Sequence, residues 1–177
     1  KGFKRLLNEG VVYNQMVYNF PNPDKASAIA TIYTGAVPFY HGIVHDKKIT
    51  RDDYSETSSF ADSKYMGNYT NERLSPLSMK GSTITDELKI ASNGKSDVFA
   101  FAPHASTALA SGGHAASGAF WIEDYTGHWA TTTFYTTHHP FVDQYNRSNE
   151  SLNTKINSLV WKPALEIEKY NAVGYQP

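Results

Sequence analysis

The sequence predicts an α/β fold with parallel core strands and an antiparallel hairpin excursion. Three observations carry this. A helix pattern over 82–91 runs directly into the apolar stretch 97–102, and a helix followed by a buried strand is half of a parallel crossover. Two β-rich runs, 118–123 and 128–135, flank Asp124-Tyr125-Thr126-Gly127, a turn composition that joins antiparallel strands. The 177 residues, 40% of them hydrophobic, supply one core of ordinary size.

The elements follow in chain order. Phe3, Leu6 and Leu7 fall at helical spacing, with Gly10 as a stop. Residues 11–20 are rich in β-branched and aromatic side chains and predict a strand, ended by Pro21 and Pro23. Residues 25–34 predict a short helix with small Ala26, Ala28 and Ala30, closed by Gly35. Residues 37–80 are polar and irregular and predict a long loop or short hairpin. The helix over 82–91 has Ser82 or Thr83 as cap, acidic residues in its first turn, and Asn93-Gly94 at its end. Ser111-Gly112-Gly113-His114 is expected as a turn, and 111–147 as a hairpin-containing insertion. Pro140 opens a helix over 139–147, residues 148–153 form a polar linker, and the tail from Val173 is irregular.

Composition excludes several functions. Sixteen Lys+Arg against seventeen Asp+Glu give a net charge of -1. A chain that binds nucleic acid through its phosphates carries a basic excess, so that partner is disfavoured. No apolar run approaches the roughly 20 residues of a membrane span. The absence of Cys excludes disulfides, thiolate nucleophiles and thiolate metal sites. Twelve Tyr, nine Phe and three Trp suit surfaces that are half packed and half wet.

No His spacing matches a zinc motif. His41 and His45 are separated by Gly42, and His138-His139 point to opposite faces if extended, so no metal ligand is assigned within this chain. Asp52-Asp53 and Asp86-Glu87 are adjacent pairs, whereas catalytic carboxylates must converge across a cleft. The informative stretch is 23–42. There a chain ended by prolines enters a small-residue helix, whose first turn presents free N–H groups and a positive dipole end.

That stretch resembles the alkaline phosphatase superfamily, and within it the phosphate-irrepressible alkaline phosphatases and the type I phosphodiesterase/nucleotide pyrophosphatase group. The resemblance runs through collinear blocks. These are residues 2–10, Ala30-Thr31-Ile32-Tyr33-Thr34-Gly35 with Pro38 and His41-Gly42-Ile43-Val44, Leu74-Ser75-Pro76 with 83–88, and Gly112-Gly113-His114 with 118–121 and 129–135. It implies part of a three-layer sandwich and a parent activity of metal-dependent phosphate mono- or diester hydrolysis. It also implies a phosphate ester as ligand and a periplasmic or extracellular location.

The resemblance also implies where the chemistry has changed. The family's Thr or Ser nucleophile falls on Lys25, with Ser27 the nearest hydroxyl and Thr31 one turn further on. An Asn that contacts the transferred phosphate falls on Asp46, and a Lys and an Arg fall on His104 and Ser106. Active full-length relatives use two zinc ions, whose ligands would precede Lys1 or follow Pro177, so this chain is expected to be an internal part of a longer protein. Two readings follow. One is an enzyme piece with Ser27 (or Thr31) as nucleophile, inactive by itself. The other, given more weight, is a non-catalytic relative whose site is rebuilt around Lys25, Asp46 and His104 and binds a ligand or partner. A Lys25–Asp46 contact in the old phosphate position is the sign of the second. A core lacking strands would also expose sheet edges, which favours self-association.

Overall fold

The computed structural model describes residues 2–160, 162–166 and 168–169. The helices and strands run in the order α1 (Gly2–Glu9), α2 (Lys25–Thr34), α3 (Pro38–His41), β1 (Lys47–Ile49), β2 (Glu56–Ser58) and β3 (Gly67–Asn68). Then follow α4 (Ile84–Ala91), β4 (Phe99–Ala102), α5 (Ala105–Gly112), β5 (Gly118–Ile122), β6 (Trp129–Thr132), α6 (Pro140–Asn146) and α7 (Leu152–Ser158). The tail from Val173 lies outside the described residues.

The main sheet has the order β3-β6-β5-β4. β4 and β5 are parallel and joined by α5, whereas β5–β6 and β6–β3 are antiparallel. The sheet is therefore mixed, and the expected hairpin is continuous with the parallel pair. Side chains alternate between faces along each strand. Ala100 and Ala102 pair with Ala119 and Trp121, and Trp121 with Ala130; all five are buried in the core with Ala26 and Ala30 of α2 and Leu109 of α5. The small residues let α5 lie close to the sheet: a Cβ on Gly112 would already touch those of Ala100 and Ala119 at 3.4 Å. On the other face Phe101 stacks on Phe120 at 4.8 Å, and Phe141 of α6 meets Phe120 edge-on at 5.2 Å. α2 and α5 thus cover one face and α6 covers part of the other, where Phe99 and Phe101 stay exposed.

Residues 11–20 correct the sequence expectation. No strand forms there, and Val11, Tyr13 and Val17 are all more than four-fifths exposed. β-branched and aromatic residues stabilise a strand only through a paired neighbour and a buried face, and among the described residues neither is present. The sequence predicts no element over 103–110 and a turn at Ser111-Gly112. Instead 105–112 is a helix. Its Ala- and Ser-rich sequence has no polar face because it is enclosed between α2 and the sheet. In 37–80 the expected hairpin is present as β1–β2, with Lys47 opposite Ser58. α7 begins inside the expected polar linker, capped by Ser151, whose side chain accepts from the Thr154 N–H.

Candidate functional site

Two helix starts define the site. β4 ends at Ala102, and α5 begins with His104 as its N-cap, without a side-chain capping bond. Beside it, α2 begins at Lys25 behind the N-cap Asp24. A cleft of about 440 Å³ lies between them, and its lining includes Lys25, Asp46, His104 and Ser106. Four residues from three separate segments are therefore brought together.

Asp24 organises the α2 side. Its Oδ1 accepts from the Ser27 N–H at 2.8 Å and from the Ser27 hydroxyl at 2.7 Å, while the Asp24 N–H donates to Ser27 Oγ at 3.0 Å. Its Oδ2 accepts from the Asp46 N–H at 2.6 Å. One carboxylate thereby closes a capping box and pins the 45–46 segment to the helix start. Burial alone would push the Asp24 pKa up; the bonds from Ser27 and Asp46, with His45 nearby, outweigh it and hold the carboxyl below its usual value.

The pinned loop sets Asp46 Oδ2 3.7 Å from Lys25 Nζ. A cation at a helix N-terminus opposes the macrodipole. Asp24 and Asp46 supply the negative charge that makes Lys25 tolerable there. On the α5 side Ser106 is buried, while His104 is exposed.

The two hydroxyls proposed from sequence sit elsewhere. Ser27 is fully buried and committed to the capping box, so its oxygen is not presented to the cleft. Thr31 faces His41. The His41 Nδ1 accepts from the Ile43 N–H at 3.1 Å, so Nε2 carries the ring proton and donates to Thr31 Oγ1 at 3.1 Å. Neither lines the cleft. Sequence reasoning missed Asp24, although an Asp three residues before Ser27 at a helix start is itself a capping signal. It also missed Trp121 and Glu72, both of which line the cleft.

His41 has a measurable consequence. It is fully buried, and burial holds its pKa below 6.5 despite a raising contribution from its own backbone. The unfolded chain therefore binds more protons below that pH, and stability is lost as pH falls from 6.5 toward the folded-state value. His139, lowered by burial and by the neighbouring His138, acts in the same window. The urea midpoint is expected to fall with pH in this range, with a shallower slope in His41→Gln. An unchanged slope would show that His41 does not titrate on unfolding.

The glycine turn at the C-terminal end of α5 is held by Asp86. Its Oδ1 accepts from the His114 N–H at 2.8 Å and the Ala115 N–H at 2.7 Å, and its Oδ2 from the Thr83 N–H at 2.9 Å. Asp86 thus does more than cap α4, the whole of the role expected from sequence. Gly113 has φ +70, and a Cβ there would overlap Thr83 Oγ1 and the Asp86 carboxylate.

Residues 1–172 match the model of the type I phosphodiesterase / nucleotide pyrophosphatase family. The chain belongs to that family. Through it and the relatives below, the chain falls in the alkaline phosphatase superfamily. It is 34% identical over 175 residues to the alkaline phosphatase PhoV of Synechococcus elongatus, covering 96% of this chain and 31% of that protein. Against the alkaline phosphatase PafA of Elizabethkingia meningoseptica the identity is 31%, covering 96% of this chain and 32% of that protein. The crystal structure of PafA superposes with a TM-score of 0.69 at 28% identity, over 82% of this chain and 28% of that one. A second PafA structure, of a variant with one Thr, one Asn, one Lys and one Arg replaced, gives the same TM-score of 0.69. This family member spans about a third of the length of the curated relatives it matches.

The resemblance puts two zinc ions in active full-length relatives. Among the described residues no group of three His, Asp or Glu converges on a point, and the Asp46 carboxylate at the cleft is held by Lys25. The described residues alone therefore assemble no two-metal centre.

Proposed function

We propose that this chain carries a family phosphate pocket rebuilt for binding, in a member that does not hydrolyse phosphate esters. The Lys25–Asp46 pair at the start of α2 carries the reading. The resemblance assigns the family's nucleophile to that position. An ammonium held by a carboxylate has no lone pair to attack phosphorus. Asp46 stands where an Asn would contact the phosphate, and a carboxylate repels a phosphate dianion. His104 and Ser106 stand where a Lys and an Arg would clamp it. Phosphoryl transfer depends on such positioning and clamping, each donor being worth about 10²–10³ in rate.

The wider setting follows the relatives. Alkaline phosphatases support an extracytoplasmic location for the protein, and no helix among the described residues is long and apolar enough to cross a membrane. Among the described residues β4 is an edge strand, and its own Phe99 and Phe101 are exposed, which supports self-association.

Turnover decides the main reading. The full-length protein, supplied with zinc, is expected to leave p-nitrophenyl phosphate and bis-p-nitrophenyl phosphate unhydrolysed above the buffer rate. Hydrolysis of either above that rate would establish the enzymatic reading instead.

A further inference from the structure

The sheet face opposite α2 and α5 is partly covered by α6, and one group beneath that helix is poorly placed to carry charge. His139 is the N-cap of α6 but gives the helix no side-chain capping bond. Its ring turns inward instead. It meets Phe120 of β5 edge-on at 4.8 Å and Phe141 at 5.7 Å, and a Cβ on Gly118 of β5 would lie 3.0 Å from its Cε1. The residue is 9% exposed, and its Nε2 is buried without a hydrogen-bond partner. A neutral ring is tolerated in such a site. An imidazolium is not, because its Nε2–H would be a buried charged donor with no acceptor.

The charges nearby do not relieve this. His138 precedes His139 and opposes a second positive charge. Asp143 lines the adjoining cavity of about 240 Å³, but its Oδ2 is 3.1 Å from His138 Nδ1. Tyr69, just after β3, faces Asp143 and Arg147 with its hydroxyl. From β5 the ring meets Gly118 and Phe120. From β6 the cavity receives Thr131, whose hydroxyl donates to the Ala119 carbonyl at 2.7 Å.

α6 is also held to the sheet unevenly. At its C-terminal end Asn146 makes two bonds to the Trp129 backbone of β6. The Trp129 N–H donates to Asn146 Oδ1 at 3.0 Å, and Asn146 Nδ2 donates to the Trp129 carbonyl at 2.9 Å. At its N-terminal end His139 and Phe141 pack on Phe120. The His138–Asp143 pair lies within one short segment, so it travels with the helix and does not tie it to the sheet.

We propose that α6 is an acid-released lid: protonation draws the His139 ring into solvent, and the N-terminal end of α6 swings off Phe120 about its Asn146 anchor, uncovering the aromatic face of the sheet. Burial, and then His138, hold the His139 pKa below 6.5 in the closed form. The opened form binds the proton more readily, so its population rises as pH falls below that value. The lid is independent of the cleft at the start of α2 and of the reading given to that cleft.

Hydrogen exchange on the full-length protein tests the lid at about pH 7.5 and about pH 5.5, read as protection factors so that the intrinsic pH dependence of exchange cancels. The Val142 and Asp143 amides, which donate to the His139 carbonyl, should lose protection on acidification by up to about tenfold. That is the most one proton delivers over this range when the open form has the ordinary histidine pKa of about 6.5. The β5 amides should change by less than about twofold, because they pair within the sheet and not with α6. In His139→Leu and in His139→Gln the acid-dependent loss over α6 should vanish. The comparison of α6 with β5 in the natural protein carries the test if neither variant folds. A loss under about twofold at Val142 and Asp143 overturns the lid. So does a loss shared equally by β5, or one retained in a folded His139 variant.

Discussion

Replacing Asp86 by alanine is expected to destabilise the protein by about 3–5 kcal/mol, the range for breaking a buried, hydrogen-bonded charge site. The carboxylate is almost fully buried and accepts from the N–H groups of Thr83, His114 and Ala115. Alanine leaves those donors without their acceptor, and each unmet buried group costs about 1–3 kcal/mol before relaxation and water entry reduce the sum. Asp86→Asn keeps the shape and one acceptor oxygen, so its cost should be smaller. The pH dependence has a defined sign. Burial would raise the Asp86 pKa, but the bonds from Thr83, Ala115 and His114 hold it below 3.8. Its contribution is therefore complete above pH 3.8 and is lost as pH falls through the lower folded-state value. Urea unfolding of the natural protein should show this acid limb, and Asp86→Asn should flatten it. A cost below about 1 kcal/mol for Asp86→Ala would mean the glycine turn is held by other contacts.

What the sequence made legible has a physical pattern. α2 and α4 could be read because their ends carry chemistry: Gly35 adopts φ 68 at the close of α2, and Thr83 and Asp86 form a capping box at the start of α4. α5 could not. Its residues are small and mostly buried, so neither an amphipathic period nor a charged face betrays it. Residues 11–20 failed for the opposite reason: their composition favours a strand, but strand formation needs a partner that local sequence does not reveal. At the site, Lys25, Asp46, His104 and Ser106 were singled out through the resemblance, and the fold places all four on one cleft. Ser27 misled because a hydroxyl near a helix start serves equally as a cap, and the capping role depends on Asp24 pointing back. Glu72 carried no signal in an irregular loop; only the fold sets it beside Glu123 and Asp124.

The double substitution Asp46→Asn/His104→Lys is expected to create an inorganic-phosphate site where the natural protein has none of comparable strength. At about 4 Å, two unit charges interact by about 4 kcal/mol in the effective dielectric of a protein surface. The Lys25 and Asp46 side chains are partly exposed, at 45% and 26%. Discounting for that exposure leaves about 1.4 kcal/mol per charge change, or about tenfold in affinity each. Removing the Asp46 charge acts twice, since it takes away a repulsive carboxylate and frees the Lys25 ammonium it held. Lysine at 104 adds a cation at the start of α5, where the helix dipole already favours an anion. The pair should therefore raise phosphate affinity about 100-fold, with Asp46→Asn alone giving about tenfold. The gain should shrink as salt is raised, because the cleft is open to solvent. Calorimetric titration with inorganic phosphate reads the effect directly. An affinity unchanged within about twofold would show that Asp46 does not set the charge of the cleft, and the Lys25–Asp46 pair would lose its place in the functional reading.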